Sequence, residues 1–240
     1  AERHFRTILS RHPDSAAAHA GLSLLYSQRY LSDRRDESWL RLADASARRA
    51  SERDNHLALG HIARGWVLDN QGKRSDALRA HADGLRLDPV SFFGWYGQVT
   101  TLRRMGRHDE ARDRLAEAMR RFPRERVFTD ELGAIEYEQA NYAAAERLFR
   151  RSIALQPDAV FAYANLNAAL MRQNRADEAL QALQQGLQVR PSAKLYTNLG
   201  TSLFLREEYA GAVSAFEHAV SPTHGAPGDY QNWANLADTL

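Results

Sequence analysis

The chain has no cysteine. Disulfides, thiolate metal sites and cysteine nucleophiles are therefore excluded. Neither a reducing nor an oxidising compartment demands cysteine, so the localisation stays unassigned. Lysine is almost absent too: Lys73 and Lys194 are the two, and the other basic residues are arginines. No apolar run exceeds a handful of residues, so no membrane insertion is expected. The opening stretch AERHFRTILSRHP lacks the basic, apolar and small-residue zones of a signal peptide. It reads as a helix entered midway, the expectation for a piece of a longer protein. There is no HExxH, no Gly-rich phosphate loop and no GxSxG. His56 and His61 are five apart, not at the i, i+4 spacing of a helical zinc pair. No catalytic residue, metal or cofactor is assigned, and the expectation is a protein that is not an enzyme.

What is present is a 240-residue chain, 44% hydrophobic and 26% charged, with a formal net charge of +2. That composition is too apolar for intrinsic disorder. The small net charge argues against nucleic acid as the partner. The arginine-rich stretch Arg103, Arg104, Arg107, Arg112, Arg114, Arg120, Arg121, Arg124 and Arg126 is interleaved with Asp109, Glu110, Asp113, Glu117 and Glu125. It is a candidate docking patch for acidic partners or nucleic acid, but reads better as a solvated charged face, its opposite charges brought together by adjacent repeats.

The strongest signal is periodic. Pro89, Pro123, Pro157 and Pro191 are 34 apart, as are Ala43, Ala77, Ala111, Ala145 and Ala179. Gly72 and Gly106 keep the same step, continued by Ala140 and Asn174. Within one period the pattern is two amphipathic helices. Trp95, Val99 and Leu102 form one apolar face, Gly106 supplies a permissive C-cap, and Asp109 and Glu110 open the next helix. Ala111, Leu115, Ala118 and Met119 form that helix's inner face, and Pro123 ends it.

Small residues set how the helices pair. Gly65, Gly133 and Gly200, at the eighth position of their repeats, are expected to face the alanine ladder. Ala50, Gly84, Ala118, Ser152, Gly186 and Ala219 are expected to let the second helix touch the next repeat. Phe149, Leu183 and Phe216 fill the space between. His81 stands in place of a large apolar residue and reads as a packed histidine. Val99 and Asn167 occupy a place usually held by a very small residue, which predicts slight splaying. Ala145 should sit at the closest helix approach and Glu146 should point to solvent.

Segments such as YANLNAAL, YTNLGTSL and WANLADTL, each followed by a small-residue helix, resemble the tetratricopeptide repeat (TPR) family over essentially the whole chain. The resemblance implies an all-α, right-handed superhelical solenoid of antiparallel helix pairs. The expected division of 1–240 is a half repeat at 1–15, then repeats at 16–57, 58–91, 92–125, 126–159, 160–192 and 193–229. A half repeat at 230–240 closes it. The first repeat carries an eight-residue insertion around YLSDRRDESW, and the last a long linker, SPTHGAPGD. Both are expected to be mobile and open to secondary contacts.

In this family the second, fifth, sixth, ninth, twelfth and thirteenth positions of each first helix line a concave groove. The resemblance places Phe93, Tyr96, Asp130, Glu131, Tyr137, Phe161, Asn165, Met171, Lys194, Asn198, Phe204 and Asn235 there. Asn165, Asn198 and Asn235 share one repeat position, and an amide both donates and accepts, which suits a peptide backbone. The arrangement resembles the asparagine ladder of O-GlcNAc transferase. The implied function is a scaffold that binds a peptide or protein segment. An alternative is a regulatory or oligomerisation region of a larger bacterial signalling protein, as in the TPR tails of serine/threonine kinases, cyclases and winged-helix regulators. Apolar Phe5, Ile8 and Leu9 at one end, and Trp233, Leu236 and Leu240 at the other, predict weak self-association through the ends.

Overall fold

Successive helix pairs with short turns between them make up the molecule, and its computed structural model describes residues 1–32, 36–221, 234, 235, 237 and 239. The described residues contain helices and no strand. They divide into two units, residues 1–122 and 123–240. In the first unit α1 is Glu2–Arg11, α2 Ala16–Ser32, α3 Ser38–Arg53, α4 Ala58–Asn70, α5 Arg74–Leu87, α6 Phe92–Arg104 and α7 His108–Arg121. In the second α8 is Arg126–Glu138, α9 Tyr142–Leu155, α10 Val160–Met171, α11 Ala176–Val189, α12 Ala193–Phe204 and α13 Tyr209–Val220. Even-numbered helices are the first of each pair.

The five pairs from α4–α5 onward each turn through a residue in the left-handed region. Gly72 and Gly106 have φ of 79° and 73°, and Ala140, Asn174 and Glu207 have 62°, 58° and 62°. The amide that follows each closes back on the first helix: Lys73 to the Leu68 carbonyl, Arg107 to Leu102, Asn141 to Glu136, Arg175 to Leu170 and Glu208 to Leu203. This closure satisfies carbonyls that a helix end leaves orphaned. The 34-residue step of Gly72, Gly106, Ala140 and Asn174 is therefore a backbone requirement. Between pairs, the Asp54 and Asp88 carboxylates accept from the amides of His56 and Val90 at 2.9 and 3.2 Å. These are Asx turns, the local competitor that ends a helix.

The alanine ladder is the line of closest approach. Ala43, Ala77, Ala111, Ala145 and Ala179 are all fully buried. The glycines opposite also make room for a ring. A β-carbon on Gly133 would lie 2.6 Å from Phe149 Cε1, one on Gly200 2.6 Å from Phe216 Cε1, and one on Gly65 2.5 Å from His81 Cε1. The glycines thus receive the ring one helical turn beyond the alanine. Where the eighth residue is polar, it bonds the ladder instead. Ser23 Oγ donates to the Ala43 carbonyl at 2.9 Å, and Asn167 Nδ2 to the Ala179 carbonyl at 3.2 Å. Asn167 also reaches Ser202 Oγ at 3.4 Å, which ties α12 into the same contact. The two pairs with a larger eighth residue, α6–α7 and α10–α11, are the most loosely packed of the six.

Other expectations change. A β-carbon on Gly84 would meet Ile62 and the Ala58 carbonyl first, in the first helix of its own pair, whereas one on Gly186 would also meet Leu195 of the next repeat. Glu146 is 9% exposed, not turned to solvent. It accepts hydrogen bonds from Arg150 at 3.0 Å, Gln173 at 3.0 Å and Arg175 at 2.6 Å. A carboxylate so close to the helix seam is tolerated because three donors from two turns of chain replace its water.

The insertion in the first repeat is largely absorbed by helix: α2 has 17 residues and α3 has 16, against 12 to 14 in the later pairs. Residues 33–35 and the linker SPTHGAPGD from Pro222 onward lie outside the described residues. So do Trp233, Leu236 and Leu240. At the other end Phe5 and Leu9 of α1 pack half-buried against Leu22, Tyr26 and Ala43. The arginine-rich face is paired mainly within single helices: Arg107 with Glu110, Arg112 with Asp109, Arg121 with Glu117 and Arg126 with Asp130. Arg104 with Asp69 joins neighbouring repeats.

Candidate functional site

The residues picked out from the sequence divide between the two units. In the first unit Phe93 and Tyr96 stand on α6. Phe93 is 47% exposed, and Tyr96 is half-buried. They belong to an aromatic cluster that the sequence reading named only in part. Trp66 meets Tyr96 at 5.4 Å between ring centroids, Phe92 meets Tyr96 at 6.0 Å, and Phe122 meets Phe92 at 5.9 Å. Trp66 Nε1 donates to the Phe93 carbonyl at 3.3 Å, which fixes the indole between α4 and α6. Trp66 is at the ninth position of its repeat, and that position is the signal that could have found it. The rings offer an apolar surface of low side-chain entropy, with Phe93 outermost.

Beside this cluster Asp69, Asn70, Gly72, Arg74 and Arg104 line a cleft of about 210 Å³. The Asp69 carboxylate is buried and paired with Arg104 through one oxygen. Its Oδ1, like Oδ1 of Asn70, has no hydrogen-bond partner among the described residues.

The second unit holds the remaining candidates. Helices α8, α10 and α12 pack in order, each first helix against the next. Asn165 on α10 and Asn198 on α12 occupy the same position of adjacent helices. Both are half-buried, and neither side chain is engaged by another residue among those described. Asn235 is half-buried, and its carbonyl accepts from Thr239 Oγ1 at 2.6 Å. Phe161 at the start of α10 is 66% exposed, and Lys194 at the start of α12 is exposed without an ion pair among the described residues. Met171 is half-buried, and Phe204 is 38% exposed. Tyr137 stands on α8, half-buried, edge-on to Tyr142 at 5.4 Å.

Asp130 is drawn into the packing and does not reach outward freely. Burial pushes its carboxyl above the ordinary range, against the positive charge of Arg126. Glu131 beside it is half-buried.

Among the described residues no group of His, Asp and Glu side chains could hold a metal ion. No helix among them is long and apolar enough to cross a membrane. The helix faces carry rings, the amides of Asn165 and Asn198 without a hydrogen-bond partner among the described residues, and the exposed ammonium of Lys194.

Known proteins share this fold. The human protein "Tetratricopeptide repeat protein 13" is 25% identical over 174 residues, 72% of this chain, which spans 17% of that protein's length. A Parabacteroides merdae tetratricopeptide repeat protein has the same fold, with a TM-score of 0.69 at 17% identity, covering 100% of this chain and 91% of that one. The Cut9–Hcn1 hetero-tetramer of the APC/C contains a chain with a TM-score of 0.71 at 17% identity. That match covers 98% of this chain and 45% of the other, so this chain spans under half of its length. Folds of this kind are typically protein–protein interaction scaffolds and generally not enzymes. The tetratricopeptide repeat profile matches residues 96–160 and 168–230, more than half of the sequence, and the chain belongs to the tetratricopeptide repeat family.

Proposed function

We infer that the protein is a binding module whose second unit holds an extended segment of a partner protein along α10, α12 and the helical residues near Asn235. The observation that carries this reading is the pair of unengaged amides, Asn165 and Asn198, at matching positions of adjacent helices. A half-buried amide with no internal partner is a donor and acceptor held ready for a backbone. Phe161 offers an apolar anchor beside them, and Lys194 a positive charge for an acidic residue or a chain terminus.

The test is selection of binders from a random displayed peptide library on the intact protein. Affinities of the winning peptides are then measured for the wild type and for the variant Asn165→Ala, Asn198→Ala, Asn235→Ala. Each lost hydrogen bond accounts for about 0.5–1.5 kcal/mol, so the triple variant should bind about tenfold to a thousandfold more weakly with little loss of stability. Unchanged affinity removes the asparagines from the site and moves attention to Phe93 and Tyr96 in the first unit. Excess mass in sedimentation, with no peptide selected, favours an oligomerisation role instead.

A further inference from the structure

His81 is the most unusual buried group in the molecule. It is fully buried on α5, and neither Nδ1 nor Nε2 has a hydrogen-bond partner among the described residues. Two helical glycines clasp its ring. A β-carbon on Gly65 of α4 would lie 2.5 Å from Nδ1, and one on Gly97 of α6 would lie 2.5 Å from Nε2. The edge of Trp66 closes a third side at 5.8 Å between centroids. Both nitrogens thus face backbone and indole, so neither water nor a carboxylate can reach them. At the corresponding place in the second unit stand Phe149 and Phe216, each over one glycine. An imidazole with no use for its nitrogens fills a space made for a hydrocarbon ring.

The charged groups on the surrounding helices are occupied elsewhere. On α4, His61 bonds the Asn55 carbonyl, Arg64 pairs with Asp44, and Asp69 pairs with Arg104 of α6. On α5, Asp76 pairs with Arg79 and Asp83 with Arg86, all on its outer face, while Arg74 lies exposed at its start. On α6, Arg103 is at the far end and Tyr96 stacks on Phe92. No anion faces the ring to compensate a positive charge.

We propose that His81 is a proton-operated latch: in mildly acidic solution it leaves its glycine slot and releases α6, with Phe93 and Tyr96, from α5. The slot accepts only the neutral ring, because a charged one would be stranded without hydrogen bond or counter-ion. Gly97 directly follows Tyr96, and Trp66 touches both His81 and Tyr96, so release of the ring removes the backing of the aromatic cluster. Burial lowers the pKa of His81 from 6.5 to about 3. The sign follows: the closed state keeps His81 neutral, the open state takes up a proton, and opening becomes easier as pH falls below about 6.5. The effect levels off near pH 3, where the closed state would itself be protonated.

Native-state hydrogen exchange, corrected for intrinsic rates, reads this directly at pH 7 and pH 5. Linkage gives a rise of about twenty-five-fold in the opening equilibrium of α5 and α6 between these values in the wild type. H81F, which copies Phe149 and Phe216, should lack that rise, as should H81L, which copies Leu115 and Leu183. H81L serves alone if the larger ring fails to fit between two glycines. The same pH dependence in the wild type and a folded variant overturns the latch. So does an equal rise in α9 and α13, where phenylalanines hold the place.

Discussion

Phe149 lies directly over Gly133, so close that a single added methyl group on the glycine would come within 2.6 Å of the ring. Ring and glycine form one unit of volume. Gly133→Ala should therefore destabilise the protein by about 1–3 kcal/mol through overpacking. Adding Phe149→Leu should recover part of the loss, because Leu115 and Leu183 stand opposite the larger Val99 and Asn167 in other repeats. Urea denaturation of the single and double variants measures this, and strictly additive losses would refute the coupling.

Ala145 and Glu146 should both be sensitive, for different reasons. Ala145→Leu forces volume into the helix seam and costs about 1–3 kcal/mol. Glu146→Leu strands the donors of Gln173 and Arg175, and it should cost about 1–3 kcal/mol. Glu146→Gln should cost less, since it keeps an acceptor. Melting points of the three variants test the order, and a neutral Glu146→Leu would contradict it.

The same carboxylate gives a pH dependence of the second unit. Burial acts to raise the Glu146 pKa, but hydrogen bonds from Gln173, Arg175 and Arg150 outweigh it, so the pKa is lowered from 4.5. The stabilisation is present above pH 4.5 and disappears as pH falls through the lowered value. Glu146→Gln should flatten that acid limb in thermal melts between pH 6 and pH 3. A limb of unchanged steepness would assign it to other groups.

The left-handed turn residues offer stabilising changes. Ala140 and Glu207 hold φ of 62° with a β-carbon in place, while nothing lies within 4 Å of a β-carbon built on Gly72 or Gly106. Ala140→Gly and Glu207→Gly should each stabilise by up to about 1 kcal/mol. Gly72→Ala and Gly106→Ala should destabilise by about 1–2 kcal/mol through backbone strain alone. Opposite signs in the two pairs are the check.

The repeat was legible because steric demands recur at a fixed step. Only small residues fit the seam at Ala77, Ala111 and Ala145, and only a permissive residue relaxes the turn at Gly72 and Gly106. Cross-helix partnership was less legible. Gly65 and His81 are 16 residues apart, and no local pattern says that a glycine will meet that ring and not Ala77. Glu146 looked solvated as a charged residue beside Arg147, yet two of its three donors come from 27 and 29 residues downstream. The candidate groove followed from repeat position, which names a face but not who lies beside whom. Trp66 holds one of these positions, the ninth, but its meeting with Tyr96 across two helices is a contact that position does not name.

One recurring contact in the first unit bears on how the chain comes apart. The ring nitrogens of His19 and His61 and the indole of Trp95 reach back six residues, to the carbonyls of Pro13, Asn55 and Pro89, at 3.0, 2.8 and 2.9 Å. In each case the ring belongs to the first helix of one pair, and the carbonyl belongs to the turn that precedes it. At the same repeat position the second unit has Tyr163 and Tyr196, which carry no ring N–H. Every early junction is thus fastened by the helix downstream of it, like a chain of hooks in which each link is closed by its successor. Mechanical pulling on the first unit should peel it in steps of one helix pair. Each step would begin where a hook gives way, and loss of a downstream pair would loosen the turn it had been holding.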